Sequence, residues 1–284
     1  MESEVNCVEL FAGAGGAALG IEAAGFTHLA LCEWDKDACA TLRAAGLGPV
    51  LEGDVREQDW DQFRGQADLV WASPPCQAWS QSGKREGTAD DRNGWPWTMD
   101  ALDDIQPTWF IAENVLGLTY HNGDCERDPS SSPLDCPGCY FTRVLVAGLR
   151  DRFDWVEVWK LDSADYGVPQ RRRRIFLVAG PHPVKRPIAT HCDPRKRLLT
   201  LTGMSPWVSV RQALRLDNPM TARQHGTKGN RPIDIDAPAP TLLAGSHDDN
   251  GFRVILSDLL DQPSPAVCAT EYKGARHMGN ADMD

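Results

Sequence analysis

Cys76 stands in the run Ser73-Pro74-Pro75-Cys76-Gln77-Ala78-Trp79-Ser80, directly after the apolar stretch Asp68–Ala72. A thiol at a strand end, with two prolines restricting the backbone before it, is aimed as a nucleophile needs to be. The plainer alternative, a small buried cysteine, is the commoner fate of that residue type. Ala112-Glu113-Asn114-Val115 closes the next apolar run, and a partly desolvated carboxyl at Glu113 could serve as a general acid. The third chemical stretch is Tyr166-Gly-Val-Pro-Gln170-Arg-Arg172-Arg-Arg174. Residues two apart in a strand share a face, so Gln170, Arg172 and Arg174 are expected to point together. Arg171 and Arg173 then face the other way, as structural or phosphate-facing groups. A plain basic edge strand is the alternative.

A ligand pocket is suggested further upstream. Glu9-Leu-Phe-Ala-Gly-Ala-Gly-Gly-Ala-Ala-Leu-Gly20 reads as a strand-to-helix turn in which glycines let a ligand approach the backbone and a helix start offers free N–H groups. Cys32-Glu33-Trp34-Asp35 follows the next apolar run. An acid about 20 positions beyond a Gly-rich turn can accept from ribose hydroxyls, and a neighbouring Trp offers a stacking face. Gly53-Asp54-Val55 ends a third run, where a carboxylate could take an adenine amino group. Together these describe an adenosine pocket that lacks the phosphate-binding Lys of an ATP site. His121-x3-Cys125-x10-Cys136-Pro-Gly-Cys139 has four side chains suited to tetrahedral zinc, in an Asp/Pro/Ser-rich insert that is otherwise hard to order. Incidental cysteines in a loop are the competing reading.

The elements that must carry these groups alternate. Val5–Phe11, His28–Cys32, Asp68–Ala72 and Trp109–Ala112 read as strands, Ala17–Ala24 and Thr142–Phe153 as helices, and Trp155–Leu161 and Arg174–Ala179 as closing strands. Strands alternating with helices predict a doubly wound, Rossmann-like α/β sheet over residues 1–180, with the chemistry in loops at the carboxyl ends of the strands. Residues 181–284 turn to Pro, Thr and short strands, which predicts a smaller, mostly irregular and β C-terminal domain. A weak repeat there aligns Asp236–Ala244 with Asp261–Ala269 at an offset of 25; coincidence in a Pro/Ala-rich tail explains it equally well.

The chain has 284 residues and 42% hydrophobic content, enough for one large core and an appendage. No apolar run has membrane-spanning length and no leader-like start is visible, so a soluble cytoplasmic protein is expected. Nine cysteines, odd in number and mostly within apolar runs, argue against a disulfide framework. The formal charge of −11 is unevenly spread: residues 143–232 hold 18 Lys and Arg against 7 Asp and Glu, while the remainder holds 11 against 33. A basic segment on an acidic body suits an enzyme that offers one face to a polyanion.

Phe-Ala-Gly-x-Gly-Gly, Glu-Trp-Asp, Gly-Asp-Val, Pro-Pro-Cys-Gln, Glu-Asn-Val and Gln-x-Arg-x-Arg occur here in one order, over about residues 5 to 245. That order resembles the DNA (cytosine-5) methyltransferase family of prokaryotic or phage type. Ser82-Gly83-Lys84 with Asp91-Arg92-Asn93-Gly94 resembles its mobile active-site loop, and Arg231-Pro232 through Thr241 its Arg-Pro…Thr segment. The resemblance implies S-adenosylmethionine as cofactor, double-stranded DNA as partner, and a covalent adduct between Cys76 and a cytosine flipped from the duplex. It assigns catalysis to Cys76, Glu113, Arg172 and Arg174. Cofactor contacts are implied for Phe11, Ala12, Gly13, Gly15, Gly16, Glu33, Trp34, Asp54, Val55 and Pro75. Substrate or DNA contacts are implied for Gln77, Ser80, Ser82, Gly83, Lys84, Asn114, Val115 and Gln170. Two departures stand out: residues 181–230 leave little room for target recognition, and the closing Gly-Asn-x-Val motif of the family is not recognisable. A truncated chain, a chain needing a partner that completes the cofactor pocket, and a divergent, weakly active enzyme are the readings these departures leave open; a cognate restriction endonuclease is a further expected partner. A tRNA-directed enzyme is disfavoured because the Cys-Phe-Thr signature of those relatives does not occur here. A silent DNA-binding subunit is disfavoured by the intact catalytic set.

Overall fold

The computed structural model describes residues 4–75, 93–120, 139–195, 203–215, 220–224, 231–233, 236–239 and 252–256. Two compact units emerge, one from residues 1–160 with 174–186, the other from 161–173 with 187–284. The first is built on a seven-stranded sheet of order β3-β2-β1-β4-β5-β7-β6. Its strands are β1 (Val5–Leu10), β2 (Phe26–Glu33), β3 (Val50–Glu52), β4 (Leu69–Ala72), β5 (Trp109–Val115), β6 (Trp155–Asp162) and β7 (Arg173–Gly180). Strands β3, β2, β1, β4 and β5 run parallel, and β7 runs antiparallel to β5. This is the expected Rossmann-like α/β sheet, with β7 reversed.

Sequence explains the centre. Cys7, Val8, Glu9 and Leu10 are all buried, as a strand covered on both faces requires. Val8 and Leu10 join Phe110, Leu145, Leu149, Ile175 and Leu177 in the main core. Glu9 is the polar exception: its carboxylate lies 3.3 Å from His28 Nε2 on β2, and His28 Nδ1 lies 3.5 Å from Glu22 on the first helix. Burial pushes the Glu9 carboxyl above its ordinary range.

Helices α1 (Gly16–Ala23), α2 (Lys36–Ala44) and α3 (Trp95–Ile105) connect the parallel strands. The α2 start is fixed by Asp35, whose side chain accepts from the N–H of Asp37 (3.0 Å) and Ala38 (2.9 Å). The Asp of the Glu-Trp-Asp motif thus caps a helix. The helix expected over Thr142–Phe153 is instead a wide π-helical turn, Phe141–Val146, continuing as α4, Ala147–Arg150. The apolar period survives, with Phe141, Leu145 and Leu149 buried, but the hydrogen-bond ladder is wider by one residue over the first turn.

In the second unit, His191–Cys192 pairs in parallel with Ser205–Pro206, and Met220–Gln224 pairs antiparallel with both Arg231–Ile233 and Phe252–Leu256. A capping box opens the short helix Val210–Leu214, with Ser209 and Gln212 exchanging backbone contacts. The described part of this unit is thus short strands and irregular chain. Most of the repeated Pro/Ala segments lies outside the described residues.

Candidate active site

Four strand ends converge on one cleft. Phe11 follows β1, Glu33 ends β2 and Trp34 follows it, Gly53, Asp54 and Val55 follow β3, and Ser73 and Pro75 follow β4; all line a cleft of about 230 Å³. The loop from β1 to α1 is held by its own geometry. Ala12 N–H donates to Cys32 O (3.0 Å), and Gly13 N–H donates to Glu33 Oε2 (2.7 Å). The other oxygen of Glu33 accepts from Trp34 N–H (2.9 Å) and Asp35 N–H (2.8 Å). Glu33 is only 8% exposed, so a buried acceptor ties the Gly-rich loop to the start of α2. Gly15 has φ +90°, and a Cβ there would fall 2.6 Å from Leu47 and 2.8 Å from Leu42, so the turn admits only glycine. Gly16 begins α1, and Ala12 is buried beneath the loop. Phe11 itself takes φ +59°, a strained value for a side-chain-bearing residue, and presents its ring to the cleft.

The opposite wall was less legible. Asn93, Gly94 and Trp97 at the start of α3 line the cleft, and Arg56 lies at its edge. A Cβ on Gly94 would sit 2.9 Å from both Phe11 and Pro75 and 3.0 Å from Pro74, so glycine is required by close approach rather than by dihedral. Arg56 donates to both oxygens of Asp54 (2.9 and 2.6 Å) and lies 5.7 Å from the centre of the Trp97 ring. Hydrogen bonding from Arg56 holds the Asp54 carboxyl below its ordinary range. Trp34 is 67% exposed, an unusual state for so large an apolar face. A Gly immediately before Trp-Pro-Trp, and an Arg directly after Gly-Asp-Val, were the available signals for this wall.

Strand β5 sends its two motif residues to opposite faces. Asn114 is buried and donates from Nδ2 to Pro74 O (3.0 Å), bracing the segment that leads into Cys76. Its Oδ1 accepts from Val115 N–H. Glu113 lies on the other face, 2.8 Å from Arg174 Nε on β7. The register explains the pair, because Glu113 is opposite Phe176 and Val115 opposite Arg174, which makes Glu113 and Arg174 diagonal neighbours on one face. The expectation that Gln170, Arg172 and Arg174 share a strand face does not hold. Strand β7 begins only at Arg173, Gln170 forms an isolated bridge with Ala239, and Arg172 N–H donates to Asp162. The period-2 rule therefore does not extend to Gln170 and Arg172; a buried carboxylate has captured the backbone before the strand starts.

Cys76, Gln77, Ser80, Ser82, Gly83 and Lys84 lie outside the described residues, as do His121, Cys125 and Cys136. Cys139 is buried at the start of the π-helical turn. Among the described residues there is no cluster of three metal-binding side chains, so the zinc expectation gains no support from the structure.

An open α/β sheet with a Gly-turned cleft at the carboxyl ends of its strands and an acid at the second strand end has the architecture of a nucleotide- or nucleoside-binding fold. The chain matches the model of the C-5 cytosine-specific DNA methylase family over residues 5–191, and it belongs to that family. Among curated relatives, the type II methyltransferase M.PspPI of Psychrobacter sp. (strain TA137) is 47% identical over 175 residues, covering 61% of this chain and 39% of that protein. M.NgoMIV of Neisseria gonorrhoeae is 36% identical, covering 62% and 52%. M.NaeI of Lentzea aerocolonigenes is 31% identical over 284 residues, covering 98% of this chain and 60% of the relative. The chain thus spans between 39% and 60% of the length of these three relatives. Among solved structures, a prophage-encoded protein from E. coli described as a DNA modification methyltransferase superposes with TM-score 0.50 at 21% identity, over 76% of this chain and 56% of that one, a likeness of fold.

Proposed function

We propose that the chain methylates C5 of cytosine in double-stranded DNA, with S-adenosylmethionine as methyl donor and Cys76 as a transient covalent nucleophile. The observation that carries the reading is the cleft. Four consecutive strand ends supply an aromatic face (Phe11, Trp34), an acid at hydroxyl-binding position (Glu33) and an acid beside a backbone turn (Asp54), and Cys76 is the next residue after the lining Pro75. That donor set fits an adenosine moiety: Asp54 for the amino group, Val55 and Phe11 for the base faces, Glu33 for the ribose. When bound there, S-adenosylmethionine supplies an electrophilic methyl group.

The residues of this chain prepare cytosine for it. The Cys76 thiolate adds to C6 and forms a C–S bond, and the electron pair of the C5–C6 double bond moves to C5. Glu113, oriented by Arg174, faces the ring N3 and stabilises the charge that develops during addition. Arg172 and Arg174 hold the flipped base and its sugar-phosphate. After methylation, which leaves S-adenosylhomocysteine, solvent takes the C5 proton, the C5–H bonding pair reforms the C5–C6 double bond, and the thiolate departs with the C6–S pair. Asn114 acts indirectly through Pro74. Gln77, Ser80, Ser82, Gly83, Lys84, Val115 and Gln170 are assigned to DNA, residues 1–180 to cofactor binding and catalysis, and residues 181–284 to target recognition. Zinc on His121, Cys125, Cys136 and Cys139 rests on spacing alone. The relatives' names as type II methyltransferases support a cognate endonuclease as partner, and an enzyme acting on chromosomal DNA would work in the cytoplasm; among the described residues no helix is long and apolar enough to cross a membrane.

The test is incubation with labelled S-adenosylmethionine and mixed-sequence duplex DNA, followed by mapping of methylated cytosines. C76A should lose transfer by at least about 10³-fold while binding S-adenosylhomocysteine as the wild type does. Substantial turnover by C76A would sink the assignment.

A further inference from the structure

Four consecutive arginines, Arg171–Arg174, invite the reading that all of them meet DNA phosphates. The second unit shows Arg171 engaged elsewhere. Its Nε donates to Asp162 Oδ2 at 2.6 Å, and its guanidinium carbon lies 4.2 Å from the centre of the Trp207 ring. Trp207 is fixed in turn, with Nε1 donating to Asp165 Oδ1 at 2.8 Å and its backbone N–H to Cys192 O at 2.9 Å. The backbone of Arg171 donates to Ala239 O, and Ala239 donates back to Pro169 O. Asp162, 8% exposed, also accepts from the N–H of Arg172 at 3.1 Å and of Ala164 at 3.4 Å.

The guanidinium is thus held in plane by a carboxylate at one edge and an indole on one face. The Arg171 side chain stays 38% exposed, but a buried acid 2.6 Å from its Nε offsets much of its charge and fixes its plane, which disfavours its turning to a phosphate. The same acid sets the direction of Arg172 by binding its N–H. We propose that Arg171, with Trp207 and Asp162, is a positioning device: it locks the Gln170–Arg172 segment so that Arg172 is presented to the flipped base, and it does not contribute a phosphate contact. This rests on the DNA-methylation reading above.

The two possibilities separate in salt and in rate. Losing one phosphate contact lowers the slope of log K against log salt by about 0.9 and weakens DNA binding. Losing a positioning device leaves the slope alone and lowers kcat, since a displacement of about 1 Å at a reacting centre costs up to about 100-fold. We would measure kcat, KM for DNA and the salt slope for wild type, R171A, R171K and W207F on mixed-sequence duplex. R171K keeps the charge but loses the planar fork and most of the stack; W207F keeps a ring face but loses the bond to Asp165.

Support is a kcat loss of about 10- to 100-fold in R171A and R171K, a smaller loss in W207F, and an unchanged salt slope and KM in all three. A shallower slope in R171A with full activity in R171K would overturn the proposal, as would wild-type kinetics in all three variants. Amide exchange at Ala164 and Arg172 in the DNA-free protein provides a readout that does not need turnover. Faster exchange in R171K and W207F is expected, and unchanged exchange counts against the lock. If the wild type methylates no DNA, the functional reading fails on its own, and the exchange result still decides the lock.

Discussion

Glu33 is the acceptor on which the Gly-rich loop after β1 depends, and E33Q tests that dependence with the smallest chemical change available. The carboxylate takes Gly13 N–H on one oxygen and Trp34 and Asp35 N–H on the other. An amide has one oxygen and one NH2, so in either orientation E33Q sets a donor against a backbone donor. With the amide oxygen kept toward Trp34 and Asp35, the bond to Gly13 becomes a clash of donors. Losing that charge-assisted bond costs about 1.5–3 kcal/mol, and neutralising the other two adds roughly 1 kcal/mol. The sum, about 3 kcal/mol, corresponds to a fall in Tm of about 6–12 °C for a protein of this size. Because the freed segment is the Gly-rich loop, S-adenosylhomocysteine affinity should fall by about tenfold or more, 1.4 kcal/mol per decade. Thermal unfolding, calorimetric titration and amide exchange at Gly13 would be measured side by side. A Tm within about 2 °C of wild type, with Gly13 exchange unchanged, would refute the argument that this carboxylate tethers the loop.

Further expectations concern the cleft walls and the buried thiols. G94A should crowd Phe11, Pro74 and Pro75, at Cβ distances of 2.9–3.0 Å, and lose about 1–3 kcal/mol of stability together with S-adenosylhomocysteine binding in titration; a variant binding as tightly as wild type would show that the walls separate freely. Arg56 depresses the Asp54 carboxyl, so that pair stabilises the fold above the ordinary carboxylate range and the benefit is lost as pH falls through the lowered value. The Tm gap between wild type and R56A should accordingly be widest near neutral pH and close on acidification, and should stay small because Arg56 is half exposed (about 1 kcal/mol or less). Burial pushes the thiols of Cys7 and Cys32 up to about 12. Neither should react with a maleimide at pH 7.5 until the protein is unfolded, as mass mapping of the labelled peptides would reveal.

The sequence alone determined the class of the first unit, a doubly wound α/β sheet, and the strand ends that line its cleft. Central parallel strands are buried along their whole length and mostly apolar, as in Cys7–Leu10 with Glu9 the exception, so they announce themselves, and the motif residues Phe11, Glu33, Asp54 and Pro75 fall at or just beyond the ends of such runs. Glycine at 15 is legible for the same reason, since only a backbone demand explains it. Tertiary structure decided everything that depends on a partner distant in the chain. Whether Asn114 meets a ligand or braces Pro74 across 40 residues is set by the β4–β5 pairing. Glu113 and Arg174 become a pair only through the antiparallel register of β7. Arg171 cannot be told from Arg172 by type or spacing; folding sets the Asp162 carboxylate against the side chain of Arg171 and the backbone N–H of Arg172, and Trp207 against the Arg171 guanidinium. Local periodicity reports burial, which every residue on a strand face shares, whereas the direction and charge balance of a single polar side chain are fixed by the particular atoms that folding brings beside it.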